Sequence, residues 1–289
     1  MIMNFESKDD FGSRFERIVI SLLLFMTGAA VLYLSAEGPL ILKNIRYRTS
    51  LSGAYQVMGQ DLANICLMFP VLSVASITLL MKKNVSKYMI MMVPLYLMYY
   101  VLSYTLGIEW SSSVYDGNSE KYAFVFLFIL VSSLLVLLYA LTIFPKNMRS
   151  SFGGWLLRIY SSVFTLLILL FASMWVRQVV DVVQTGAAIG YREAPAGFWT
   201  IRMFDLGFTV PFGLLSVYLL WTRPDTTCAI QYMFYGFFIT MLAAVNSMAV
   251  VMLLKKDNDF MPGTMVLFVA LLVVVLSGFV FVHKRYKAV

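Results

Sequence analysis

Eight stretches of this sequence are long and apolar enough to cross a lipid bilayer, or nearly so. They are 18–36, 62–81, 88–108, 122–144, 153–176, 203–221, 226–254 and 260–282. A spanning helix needs about 20 apolar residues to cross roughly 30 Å of hydrocarbon. Only Arg158 and Asp205 put a formal charge inside these limits. The runs do not alternate every second residue, which argues against a β-barrel. The expected fold class is an all-α membrane protein with eight transmembrane helices.

Charged residues make up 13% of the chain, about half the ~25% usual in soluble domains. That excludes an ordinary soluble enzyme and a disordered tail. The net charge of +7 first suggests an anionic partner, but sidedness explains it. The side holding the N-terminus carries 13 basic residues against five acids, Glu6, Asp9, Asp10, Glu16 and Asp225. The opposite side carries nine basic residues and ten acids. The positive-inside rule then places both termini in the cytoplasm of a cell-membrane protein. No nucleic acid is needed to account for the charge, and membrane lipid is the expected partner. The first stretch could be mistaken for a signal peptide. Its acidic lead, and the lack of an A-x-A site after it, predict a retained span.

Spans two and six open alike. One reads Gly59-Gln60-Asp61-Leu62 and then Pro70-Val71-Leu72. The other reads Phe204-Asp205-Leu206 and then Val210-Pro211-Phe212. The Asp pair is offset by 144 and the Pro pair by 141, so a three-residue gap is needed. The reading is two tandem four-helix halves, 1–149 and 150–289, in parallel orientation. These runs, with Met248-Ala249-Val250-Val251-Met252, resemble a recurrent pattern in uncharacterised prokaryotic multipass membrane proteins. The resemblance implies a prokaryotic membrane protein and no particular chemistry.

Two long connections, 37–61 and 177–202, fall on the side away from the termini. Both contain Gly and Pro, which predicts irregular or short helical caps. Asp61 reads as the N-cap of span two. Asp205 lies a turn or more inside a helix, where a charge costs ~3 kcal/mol and needs a partner. Arg202 stands three residues before it on the same face. Arg177 and Asp181 lie one turn apart at the end of span five. The expectation is an ion-paired group of Arg177, Asp181, Arg202 and Asp205. It would serve either as a clamp between spans or as a contact for a small solute or ion.

Tyr96, Tyr100 and Tyr104 recur every four residues on one face of span three, and Tyr99 lies nearby. A phenol near mid-membrane must find a hydrogen-bond partner. Tyr96 and Tyr100 therefore either line a polar cavity or bond to backbone carbonyls. Asn246 in span seven has the same two readings. Pro70 and Pro211 favour kinks that open space between the halves.

Other chemistry lacks its parts. No phosphate loop, H-E-x-x-H, G-x-S-x-G, Cys–His pair or spanning lysine is present. The two cysteines, Cys66 and Cys228, fall near opposite ends of the membrane, and the lone His283 sits at the C-terminal end. No cofactor or metal is expected. The 19 methionines read as gap-fillers rather than copper ligands. Two classes stay open: binding or transport of a small solute or ion, and a structural, sensory or assembly protein whose loops dock a protein partner or lipid.

Overall fold

Each apolar stretch is helical in the computed structural model, and most of the helices run further than the apolar residues do. The structure describes every residue except 1–9, 109, 111, 146, 147, 153, 189, 190, 193 and 289. Glu6, Asp9 and Gly153, the first residue of the fifth apolar stretch, therefore lie outside the described residues. Span one is α1 (Arg14–Glu37). Span two is α2 (Leu51–Ala63), a π-helical turn (Asn64–Met68) and α3 (Phe69–Leu80). Span three is α4 (Val85–Met89) and α5 (Pro94–Leu106). Span four is α6 (Ala123–Ile143), entered by a 3-10 turn at Ser119–Tyr122. Span five is α7 (Gly154–Thr185). Span six is α8 (Pro195–Phe204), a second π turn (Asp205–Thr209) and α9 (Val210–Thr222). Spans seven and eight are α10 (Cys228–Leu254) and α11 (Pro262–Arg285). All eight have the length and apolar character to cross a membrane.

One expectation needs correction. The long connections mix irregular backbone with helix that continues the spans: α2 begins at Leu51, α7 runs on to Thr185, and α8 begins at Pro195. Ser52, Gln56 and Gln60 of α2, Gln178 of α7 and Arg202 of α8 line a cavity, while Arg177 and Asp181 of α7 are exposed. Asp61 is consequently not an N-cap. Ser50 caps α2, its Oγ accepting from the Gly53 amide. Asp61 lies eleven residues later and is 1% exposed. Its Oδ2 sits below the 38–47 loop, where the Leu40 amide donates to it at 3.4 Å.

Outward faces are apolar, as lipid contact requires. On α6, Leu127, Val131, Leu134 and Leu138 form an exposed stripe, while Phe126, Ile129, Ser133 and Ala140 are buried. Hydrophobicity gives little drive for helix pairing in lipid, so small residues and polar bonds do that work. Thr27 Oγ1 donates to Ser132 Oγ at 2.7 Å, joining α1 to α6. Ser76 Oγ donates to the Ser21 carbonyl at 2.7 Å, joining α3 to α1. Trp221 Nε1 donates to Ser161 Oγ at 3.0 Å, joining α9 to α7. Ser216 and Gln231 exchange two bonds between α9 and α10. At Gly59 a Cβ would stand 2.3 Å from Met248 Cα, so only glycine lets α2 and α10 approach this closely.

The two π turns share one cause. The Phe69 amide bonds to the Asn64 carbonyl five residues back, and the Val210 amide bonds to the Asp205 carbonyl in the same way. The next residue in each case is proline, which has no N–H to continue the α ladder. The expected kinks thus take the form of widened turns, a feature frequent at functional sites. The turns start 141 residues apart, as do the prolines. Asn64 and Asp205 each stand first in their π turn.

At the end holding the termini, β1 (Met148–Ser150) pairs antiparallel with β2 (Tyr286–Ala288), Ser150 opposite Tyr286. Asp225 Oδ1 accepts from the Ser150 amide at 2.7 Å and from its hydroxyl at 2.5 Å. These bonds hold the Asp225 carboxyl below its usual range. At the other end, Arg48 forms a two-pronged ion pair with Glu120, at 2.7 and 3.1 Å. Asn118 bonds to the backbone of Asn44 and Arg46. The 38–50 and 107–122 connections are thereby tied to each other.

Candidate functional site

A cavity of about 410 Å³ lies among spans two, three, five, six, seven and eight. Sites for one small organic molecule occupy about 300–1,000 Å³. Its α2 wall runs from Ser52 to Gln60, nine residues or roughly 13 Å of helix. That is a little under half of a ~30 Å hydrocarbon core. The helix ends around its rim, at Ser50, Ile108, Ala194 and Met261, all lie at the end away from the termini.

The deep part is polar at few points. Asp205, 5% exposed, sits at the start of the second π turn. Its Oδ1 accepts from Tyr99 Oη at 2.9 Å and from Thr209 Oγ1 at 3.2 Å. The Trp175 indole N–H lies near this carboxylate without closing a hydrogen bond on it. Arg202, one turn earlier on α8, is stacked on two rings. Its guanidinium carbon stands 4.5 Å from the Trp175 ring centre and 4.0 Å from that of Phe198. One Nη donates to Gln178 Oε1 on α7. Arg202 Nε is buried with no partner.

Opposite stand the tyrosines of α5. Tyr96, Tyr99, Tyr100 and Tyr104 all line the cavity. Gln60 Nε2 donates to Tyr96 Oη and, at 2.9 Å, to Asn64 Oδ1; Asn64 Nδ2 donates to Ser35 Oγ at 3.1 Å. The walls from spans seven and eight are mostly apolar and soft: Met241, Met248, Met252, Met261, Met265 and Phe268, facing Phe171 of span five, with Asp259 and Thr264 as the polar exceptions. Such thioether walls adapt to varied shapes.

The expected site residues divide. Asp205, Arg202, Tyr96 and Tyr100 come together at the cavity. Arg177 and Asp181 do not, because both are exposed on the outer side of α7. Among the described residues no ion pair within 4.0 Å joins any two of Arg177, Asp181, Arg202 and Asp205. Consecutive helix positions differ by about 100°, so the turn that aims Gln178 inward aims Arg177 away. Asn246 also lies off the cavity. Its Nδ2 donates to the carbonyls of Leu242 at 2.8 Å and Phe268 at 3.2 Å, the packing role weighed for it above. Sequence reasoning missed Trp175 and Gln178. A tryptophan and a glutamine one turn apart near a span's polar end were the available signal.

Among the described residues no group of three or more His, Cys, Asp or Glu could hold a metal ion, and both cysteines are free. Comparison with protein-family models, curated proteins and solved structures found no match.

Proposed function

We propose that this multipass membrane protein binds a small organic solute in the cavity, taking it from the extracytoplasmic side. One observation carries the reading: a cavity of ligand size runs from one end of the bundle to a buried carboxylate and a half-buried guanidinium. A clamp between spans would close these charges on each other. Here each is held by other groups and faces open volume.

The architecture that goes with this reading is two tandem four-helix halves, 1–149 and 150–289, related by an axis along the membrane normal. The paired π turns support it. So does a second pairing: Gly59 meets Met248 where α2 crosses α10, and Gly197 meets Gly107 where α8 crosses α5. Positions 107 and 248 stand 141 apart, the same offset as the prolines, and 59 and 197 stand 138 apart, within one helical turn of it. The cavity lies between such halves, where repeat-built transporters place their sites. The basic bias of the termini side supports cytoplasmic termini in a cell membrane. The alternative, an assembly or sensory protein that docks a partner, draws on the tied 38–50 and 107–122 loops. It gives no role to a buried Asp205 facing open space.

The test is a thermal-denaturation screen of purified protein in detergent, against small solutes of cationic, anionic, zwitterionic and neutral classes. A ligand at 100 times its Kd stabilises by about 2.7 kcal/mol. At least one class should raise the midpoint by several degrees, and Val245→Trp, which fills the cavity, should abolish the shift. No shift with any class, or a shift that persists in Val245→Trp, overturns the reading.

A further inference from the structure

The Arg202–Asp205 geometry points to a zwitterion as the ligand class: a small molecule with an ammonium and a carboxylate close together on an apolar body, as in an apolar α-amino acid. This inference rests on the solute-binding reading above and narrows it.

Residues three apart on a helix have Cβ atoms roughly 5–6 Å apart. In a low-dielectric site, opposite charges so placed attract strongly. They nevertheless form no ion pair within 4.0 Å among the described residues. The reason is visible on each side. Asp205 is held through Oδ1 by Tyr99 and Thr209. Arg202 is held by Gln178 and by ring faces of Trp175 and Phe198.

What remains open is specific. The hydrogen bonds to Asp205 fall on Oδ1, with the Trp175 indole N–H nearby as a further donor that closes no bond, and Arg202 Nε is buried without a partner. Stacking covers the faces of the guanidinium, and its Nη groups reach Gln178 Oε1 and, at 3.5 Å, the Phe198 carbonyl, so Nε is the donor left for a ligand carboxylate. Oδ2 can accept from an ammonium. A pure cation would answer Asp205 and leave Arg202 Nε without an acceptor. A pure anion would do the reverse. Sites reject ligands that leave such groups unpaired more strongly than ligands that merely fit poorly. The methionine and phenylalanine walls would take the apolar body.

The test is isothermal titration calorimetry on the full chain in lipid nanodiscs. The probes are leucine, methionine and phenylalanine, each with its amide (ammonium only) and its N-acetyl derivative (carboxylate only). At least one free amino acid should bind, and both of its capped forms should bind at least tenfold more weakly. Arg202→Gln should bring that amino acid down to the affinity of its amide and leave the amide unchanged. Asp205→Asn should bring it down to the affinity of the N-acetyl form. If a variant does not fold, the comparison of free and capped probes on the unaltered protein decides alone. Capped forms that bind as well as the free amino acid, or no binding by any of the three sets, overturn the zwitterion. The solute-binding reading then stands or falls separately, on whether another solute class shifts the unaltered protein and not Val245→Trp.

Discussion

The Tyr99 phenol donates to Oδ1 of Asp205 across 2.9 Å, tying α5 to the π turn of span six at the floor of the cavity. Both this bond and that from Thr209 fall on Oδ1 of a residue that lines the cavity. A hydrogen bond to a charged group contributes about 1.5–3 kcal/mol. Tyr99→Phe should therefore lower folding stability by about that amount when Asp205 is present, and by much less in an Asp205→Asn background. Thermal denaturation of the four proteins of this double-mutant cycle measures the coupling, and a coupling near zero contradicts the assignment.

Backbone proximity at Gly59 sets a second expectation. Its Cβ would meet the Met248 backbone, which cannot move as a side-chain tip can. Gly59→Ala should destabilise by about 3 kcal/mol. At Gly207 nothing lies within 4 Å of an added Cβ. Gly207→Ala should be neutral or stabilise by about 0.5–1 kcal/mol. Yield of monodisperse protein and denaturation midpoints check both.

Pro211 gives a test that separates binding from stability. Pro211→Ala restores an N–H and permits an ordinary α turn where the Val210 amide now bonds to the Asp205 carbonyl. Losing the extra residue of the π turn would swing Asp205 about the helix by up to roughly 100°. The variant should melt no lower than the parent and bind solute at least tenfold more weakly. Unchanged binding would mean that the widened turn does not aim Asp205.

The Asp225–Ser150 contact makes a pH-dependent contribution. Ser150 holds the Asp225 carboxyl below its usual range. The contact therefore stabilises the fold fully above the unfolded value of about 3.9. It is lost as pH falls through the lower folded value. Asp225→Asn should melt lower than the parent at pH 6–7, with the two curves converging below about pH 3. Equal midpoints at neutral pH would show that the contact holds nothing.

Much of this was legible from residue chemistry. Eight spans follow from apolar length alone. Asp205, Arg202, Tyr96 and Tyr100 stood out because charges and phenols inside apolar helices must find partners. Two things were hidden. One was rotation: Arg177 and Gln178 are adjacent and both polar, and only packing decides which faces inward. The other was the helical continuation through 51–61, where polar residues face a cavity and so look like a loop. The π turns were half visible: proline announces a break, but not that the helix will widen to accommodate it.

One labelling experiment addresses the open cavity directly. Cys66 and Cys228 are replaced by alanine, and Ser103, a cavity-lining residue of α5, becomes cysteine. A membrane-impermeant thiol reagent is then applied to sealed vesicles of each orientation. Labelling at position 103 is expected from the face opposite the termini and not from the face that carries them. Labelling from the termini face alone, or from neither face until the protein is denatured, would contradict a wet path to Asp205.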